Sequence, residues 1–114
     1  MSDIRQALIN MVKAQLAAKK FTTGSKGFYA SGKLPVDGDR YQASAMAVLI
    51  GSKDNPRAKV AASTEEITAA LTDMVQAGVP ACEFRSGKTG YRAQGKVEAH
   101  GQRFQASIQA VRLS

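Results

Sequence analysis

Apolar residues first recur at helical spacing. Ile4, Ala7, Leu8, Met11 and Val12 follow the i, i+3, i+4, i+7 rhythm of one buried helix face. The pattern predicts a helix from near the start of the chain to about Lys20. The period then changes to two. In GFYASGKLPV, Phe28, Ala30, Gly32, Leu34 and Val36 alternate with Tyr29, Ser31, Lys33 and Pro35. Alternation with one apolar side describes a half-buried antiparallel strand. Asp37-Gly38 follows, a strong signal for a two-residue hairpin loop. Such a loop pairs Leu34 with Tyr41 and Lys33 with Gln42. A slip of one residue would bury Lys33 and Arg40, so the register is well specified.

The same order of elements then repeats. At a shift of 63, residues 4–51 fall on residues 67–114 without a gap, with twenty identities in 48 positions. GDRYQAS at 38–44 returns as GQRFQAS at 101–107. The chain therefore reads as a single domain, 1–114, made of two tandem copies. The copies are 1–51 and 64–114, and the polar segment 52–63, which contains Asn55-Pro56, is the loop between them. In the second copy Ser63-Thr64-Glu65-Glu66 has the form of a capping box, and Gly78 followed by Pro80 stops the helix. Tyr91, Ala93, Gly95, Val97 and Ala99 alternate with Arg92, Gln94, Lys96 and Glu98. His100-Gly101 makes the turn, which sets Glu98 opposite Arg103 and Lys96 opposite Gln105. A short third strand is expected in each unit, near 20–23 and 83–86.

Two α-β-β(-β) units imply an α+β fold with pseudo-twofold symmetry, its two helices packed on a mainly antiparallel sheet. The order αββαββ is a circular permutation of the ferredoxin-like βαββαβ. The alternative is two small sheets about a pseudo-twofold axis, in the manner of Whirly or PUR-type proteins. Both are comparisons of fold alone. The inward strand face is rich in small residues (Ala30, Gly32, Ala43, Ala45 and Ala47), which let a helix approach closely.

Composition narrows the function classes. Sixteen Lys and Arg against nine Asp and Glu give a net charge of +7, which favours association with polyanions. The one cysteine, Cys82, cannot close an internal disulfide. The longest apolar run, 45–50, is too short to span a bilayer. The N-terminal stretch is amphipathic with an early acid, unlike a secretory signal. The expectation is a cytoplasmic protein without a membrane partner.

No catalytic or cofactor motif stands. SGKTG, at 86–90, resembles the end of a phosphate-binding loop, but Cys82 occupies the place of the first Gly and a strand follows instead of a helix. His100 and Asp37 are turn residues, and Cys82 has no activating neighbour in sequence. One His and one Cys do not build a zinc site. The chain is expected to be neither an enzyme nor a binder of metal or cofactor.

The outward strand face carries the functional reading. Apolar matches between the copies follow from packing, but Lys33/Lys96, Arg40/Arg103, Gln42/Gln105 and Ser44/Ser107 face water and still match. With Tyr29 and Arg92 they make a polar, cationic surface suited to phosphates, sugars and exposed base edges. The expected nucleic-acid-binding residues are Tyr29, Lys33, Arg40, Gln42, Arg92, Lys96, Arg103 and Gln105. Lys53, Arg57 and Lys59 in the joining loop extend the track. The partner expected is single-stranded DNA or RNA, bound with little sequence specificity. The alternative is a small self-assembling structural or interaction subunit of a phage, plasmid or other mobile element. In that reading the apolar AVLIG stretch, 47–51, pairs with another chain at a free strand edge.

Overall fold

A computed structural model describes residues 4–21, 24–36, 38–52, 57 and 59–113. Asp37 and Lys53 lie outside the described residues, as does Asn55-Pro56. The order is α1 (Ile4–Gln15), β1 (Ala17–Lys20), β2 (Lys26–Val36), β3 (Asp39–Leu49), α2 (Thr64–Ala77), β4 (Ala81–Glu83), β5 (Thr89–Ala99) and β6 (Gln102–Arg112). All six strands form one antiparallel sheet in the order β1-β2-β3-β6-β5-β4. The fold is α+β, with α1 resting on β2, α2 on β5, and the helices touching each other.

The expected hairpin registers are those observed. Leu34 pairs with Tyr41 and Lys33 with Gln42, while Glu98 pairs with Arg103 and Lys96 with Gln105. His100 and Gly101 have φ of 53° and 73°, so both central residues of that turn are left-handed, as a tight hairpin loop of matching twist requires.

The core lies between the helices and one face of the sheet. Leu8, Val12, Ile67, Leu71 and Val75 descend from the helices onto a floor of Ala43, Ala45, Ala47, Ala106, Ile108 and Ala110, all at 0% exposure. Each large aliphatic side chain buried this way contributes about 1.5–3 kcal/mol. The small floor residues bring the helices close: a Cβ on Gly32 would already touch the Met11 side chain at 3.8 Å. Four aromatic rings fill the remaining space in two pairs, Phe28 with Phe104 at 6.2 Å and Tyr41 with Tyr91 at 5.9 Å. Burial, foremost, raises the Tyr41 pKa, and its neighbour Tyr91 adds to the effect.

Helix α2 starts on the expected box. The Ser63 hydroxyl accepts from the Glu66 amide at 3.1 Å, and the Ser63 amide donates to the Glu66 carboxylate at 3.0 Å. That backbone donor is the main cause of the lowered Glu66 pKa, with His100, 3.5 Å away, a lesser one.

Two expectations are corrected. Helix α1 ends at Gln15, not near Lys20; Leu16 turns into the core, and Ala17–Lys20 pairs with Lys26–Tyr29 as the edge strand β1. Nothing like Gly78-Val79-Pro80 marks this stop, and the helix-favouring run AAKK is overridden by sheet pairing. The short strands thus fall earlier than expected, at 17–20 and 81–83. The second correction concerns AVLIG. Strand β3 is central, with Ala47 between Phe28 and Ala106 and Leu49 opposite Phe104, so this stretch offers no free edge. It is apolar on alternate sides because one side meets the helices and the other is half-covered in the middle of the sheet. The unpaired edges lie elsewhere, on the outer sides of β1 and β4, along Ala30–Val36 of β2 and from Ala93 to Ala99 of β5.

Candidate functional site

Strand parity settles which side chains share a face. Because Phe28, Ala30, Tyr41, Ala43, Phe104 and Ala106 point at the helices, residues of the other parity emerge on the opposite side. Tyr29, Lys33, Arg40, Gln42, Arg92, Lys96, Arg103 and Gln105 all belong to that outer face. Tyr29 is half-buried and the other seven are exposed. Lys19 joins them from β1. Among the described strand positions the face then holds six cations, Lys19, Lys33, Arg40, Arg92, Lys96 and Arg103, against one acid, Glu98.

The cations are not evenly spread. Lys33 and Arg40 sit on neighbouring strands at one end of the sheet, and Lys96 and Arg103 sit likewise at the other. Lys33 and Lys96 are three strands and six cross-strand rows apart, or roughly 25 Å from standard strand spacing and rise. Between them the centre of the face is uncharged: Ser31, Ser44, Met46, Ser107 and Gln109, flanked by Val48 and Val111. The surface is thus a neutral, half-apolar middle with cations at two diagonal corners, Arg92 on one flank and Lys19 on the other.

Four side chains behave in ways the sequence did not suggest. The Lys19 ammonium stands 4.5 Å from the centre of the Tyr29 ring and 5.7 Å from that of Phe21, so Tyr29 presents a cation held on an aromatic face. The pairing of residues 17–20 with 26–29 creates this contact, and a helix running to Lys20 would have hidden it. Gln42 and Gln105 each donate to a carbonyl on the neighbouring strand, Gly32 at 3.4 Å and Gly95 at 3.2 Å. Their match at the shift of 63 therefore has a structural cause as well. Each amide still keeps a second N–H and its oxygen. Arg92 donates to the Gln94 side chain at 2.9 Å, which holds its guanidinium along the strand.

Lys33 and Pro35 on β2, and Lys96 and Glu98 on β5, also mark the unpaired edges of these long strands. Charges and a proline there oppose strand addition by another chain.

In the joining loop, Gln102 reaches across to hold the backbone, accepting from Ala61 N and donating to Lys59 O, both at 2.8 Å. Arg57 and Lys59 are exposed. Segment 86–90 is a turn entering strand β5, closed by Phe84 N donating to Lys88 O at 2.8 Å, with no helix to present amides to a phosphate. Among the described residues no group of three or more His, Cys, Asp and Glu is placed to hold a metal ion, and no helix is long and apolar enough to cross a membrane. Comparison with protein-family models, curated proteins and solved structures finds no match to this chain.

Proposed function

We propose that the protein binds single-stranded nucleic acid, with little sequence specificity, across the outer face of the sheet. The observation that carries the reading is the six-to-one excess of cations over acids on the sheet face opposite the two helices. Lys33, Arg40, Arg92, Lys96 and Arg103 neutralise phosphates. Gln42 and Gln105 offer their remaining amide groups to sugars and base edges, and Tyr29 with Lys19 makes a cationic aromatic platform. The uncharged middle, with Met46, Val48 and Val111, suits the faces of unstacked bases better than the ridged backbone of a duplex.

The reading includes the tandem origin of the chain. Support comes from contacts that recur at the shift of 63. Phe21 and Gly24 close the same turn as Phe84 and Gly87. The bond from Ile50 N to Arg103 O is matched by that from Leu113 N to Arg40 O. Ala45, whose counterpart is residue 108, pairs with Ile108 itself, as a residue on a twofold axis does. The four long strands follow the order β2-β3-β6-β5, that of a permuted ferredoxin-like sheet. On this view each matched cation was kept because it meets the same backbone chemistry in both halves.

Anisotropy titrations with single-stranded DNA, RNA and duplex DNA of equal length test the proposal. Tighter binding of the single strands, weakened by charge reversal at Lys33 and Lys96, is the expected result. Equal affinity of the double variant and the wild type rejects the surface.

A further inference from the structure

We infer that the bound strand leaves the outer face at one end only, wrapping the β1 edge into a lysine-lined groove that takes its phosphodiester backbone. The inference rests on the outer face being the nucleic-acid surface, and it adds a second site and a direction.

The groove is open, about 500 Å³ in volume, and lies where β1, the start of β2 and the end of the joining loop meet. Lys19, Lys20, Lys26 and Lys59 line it, with Val60 and the backbone of Gly27, and no acidic side chain among the described residues does so. These lysines come from three separate segments. The antiparallel register puts Lys20 directly opposite Lys26, and the joining loop adds Lys59. Lysines gathered in one concavity attract anions, and a low-dielectric wall such as Val60 focuses the field there.

Lys19 connects the groove to the face, since it lines the one and stands on the other over Tyr29. Lys19 also lies in one cross-strand row with Gly27, Val48, Gln105 and Lys96. That row spans roughly 19 Å at standard strand spacing, with the buried Gly27 beside Lys19. A strand crossing from Lys96 to Lys19 passes over Gln105 and Val48 and reaches the groove at Lys19.

The other edge is built differently. The corresponding groove, about 390 Å³, is lined by Cys82, Glu83, Thr89 and Arg112, so it holds one acid and one base. At the shift of 63, Lys19, Lys20 and Lys26 become Cys82, Glu83 and Thr89. The two halves share the cationic face but not this edge, which gives the bound strand one exit.

Two variants of the full chain separate this inference from the reading it rests on. The edge variant is K20E/K26E/K59E and the face variant is K33E/K96E/R103E. Both change only surface groups, and their melting curves check folding. Affinity for fluorescein-labelled oligo(dT) is measured over a salt series. For three lost phosphate contacts the edge variant flattens the slope of log K against log salt by about 2, and weakens binding on the order of a hundredfold at about 0.1 M salt. An edge variant with the wild-type slope, beside a weakened face variant, overturns the inference and leaves the face reading intact. A weakened edge variant beside an unchanged face variant keeps the groove and rejects the face. As an arm independent of nucleic acid, titration with inorganic tripolyphosphate shifts the amide resonances of Lys20, Lys26 and Lys59 and leaves those of Ala81–Glu83 in place. Equal shifts at both edges contradict a single exit.

Discussion

Adding one methyl group at Gly27 or Gly90 tests how the strands are laid together. A Cβ at residue 27 would stand 1.9 Å from the carbonyl oxygen of Ala47, and one at residue 90 would stand 2.0 Å from that of Ala110. Carbon and oxygen tolerate an approach of about 3.3 Å, so the paired backbones must part by more than an ångström. The obstructing atoms are main chain of the two central strands, and no rotamer change relieves them. Overpacking costs about 1–3 kcal/mol, and a backbone obstruction places Gly27→Ala and Gly90→Ala near the upper end. For a domain of this size that lowers the melting temperature by roughly 10 °C. Gly95→Ala is the internal control. Nothing lies within 4 Å of its added Cβ. The substitution reduces the freedom of the unfolded chain and stabilises by about 0.4–1 kcal/mol. Thermal and urea unfolding followed by circular dichroism measure all three. Gly27→Ala and Gly90→Ala melting with the wild type, or Gly95→Ala falling as far as they do, would refute the register.

Other substitutions probe the rest of the account. Ile108→Ala removes a side chain at 0% exposure from the centre of the core floor and costs about 2–5 kcal/mol, read from urea midpoints. Ser63→Ala removes the α2 cap and costs about 1 kcal/mol by the same assay. The Glu66 pKa is lowered on folding, so its contribution is present above the ordinary carboxylate range and is lost as pH falls through the lowered value. Glu66→Gln therefore loses part of the wild-type decline in melting temperature on acidification, and an identical pH profile would contradict the capping box. Replacing Gln42 and Gln105 together with Ala removes two cross-strand bonds and costs about 1 kcal/mol in total. The salt slope of oligonucleotide binding stays unchanged, because an amide neutralises no phosphate.

Much of the fold was legible because its strongest signals are local. The period of two, the Asp-Gly and His-Gly turns and the Ser63–Glu66 box each act within a few residues, and the hairpin registers follow from them. The joining of β3 to β6 is a long-range choice with no local mark, and it alone decides that Ala47–Leu49 is central rather than an edge. The end of α1 was hidden for a related reason. Gly78 and Pro80 punctuate the end of α2, while Gln15-Leu16-Ala17 carries no breaker and yields only to pairing with β2. The candidate site divides in the same way. Parity placed Lys33, Arg40, Lys96 and Arg103 on one face, because alternation is a property of the strand itself. Lys19, Lys20 and Lys26 escaped notice, since what brings Lys19 over Tyr29 and Lys20 beside Lys26 is the path of a strand read as helix. Gln42 and Gln105 looked free because a bond to a neighbouring carbonyl depends on side-chain reach, which spacing does not encode.

The most direct test of the central claim is the salt dependence of single-strand binding, compared between the wild type and Lys33→Glu/Lys96→Glu. Five phosphates neutralised by Lys33, Arg40, Arg92, Lys96 and Arg103 predict a slope of log K against log salt of about −3.5 or steeper, and loss of two contacts flattens it by about 1.4. A slope near zero in the wild type, or the same slope in both proteins, would contradict the assignment of this face.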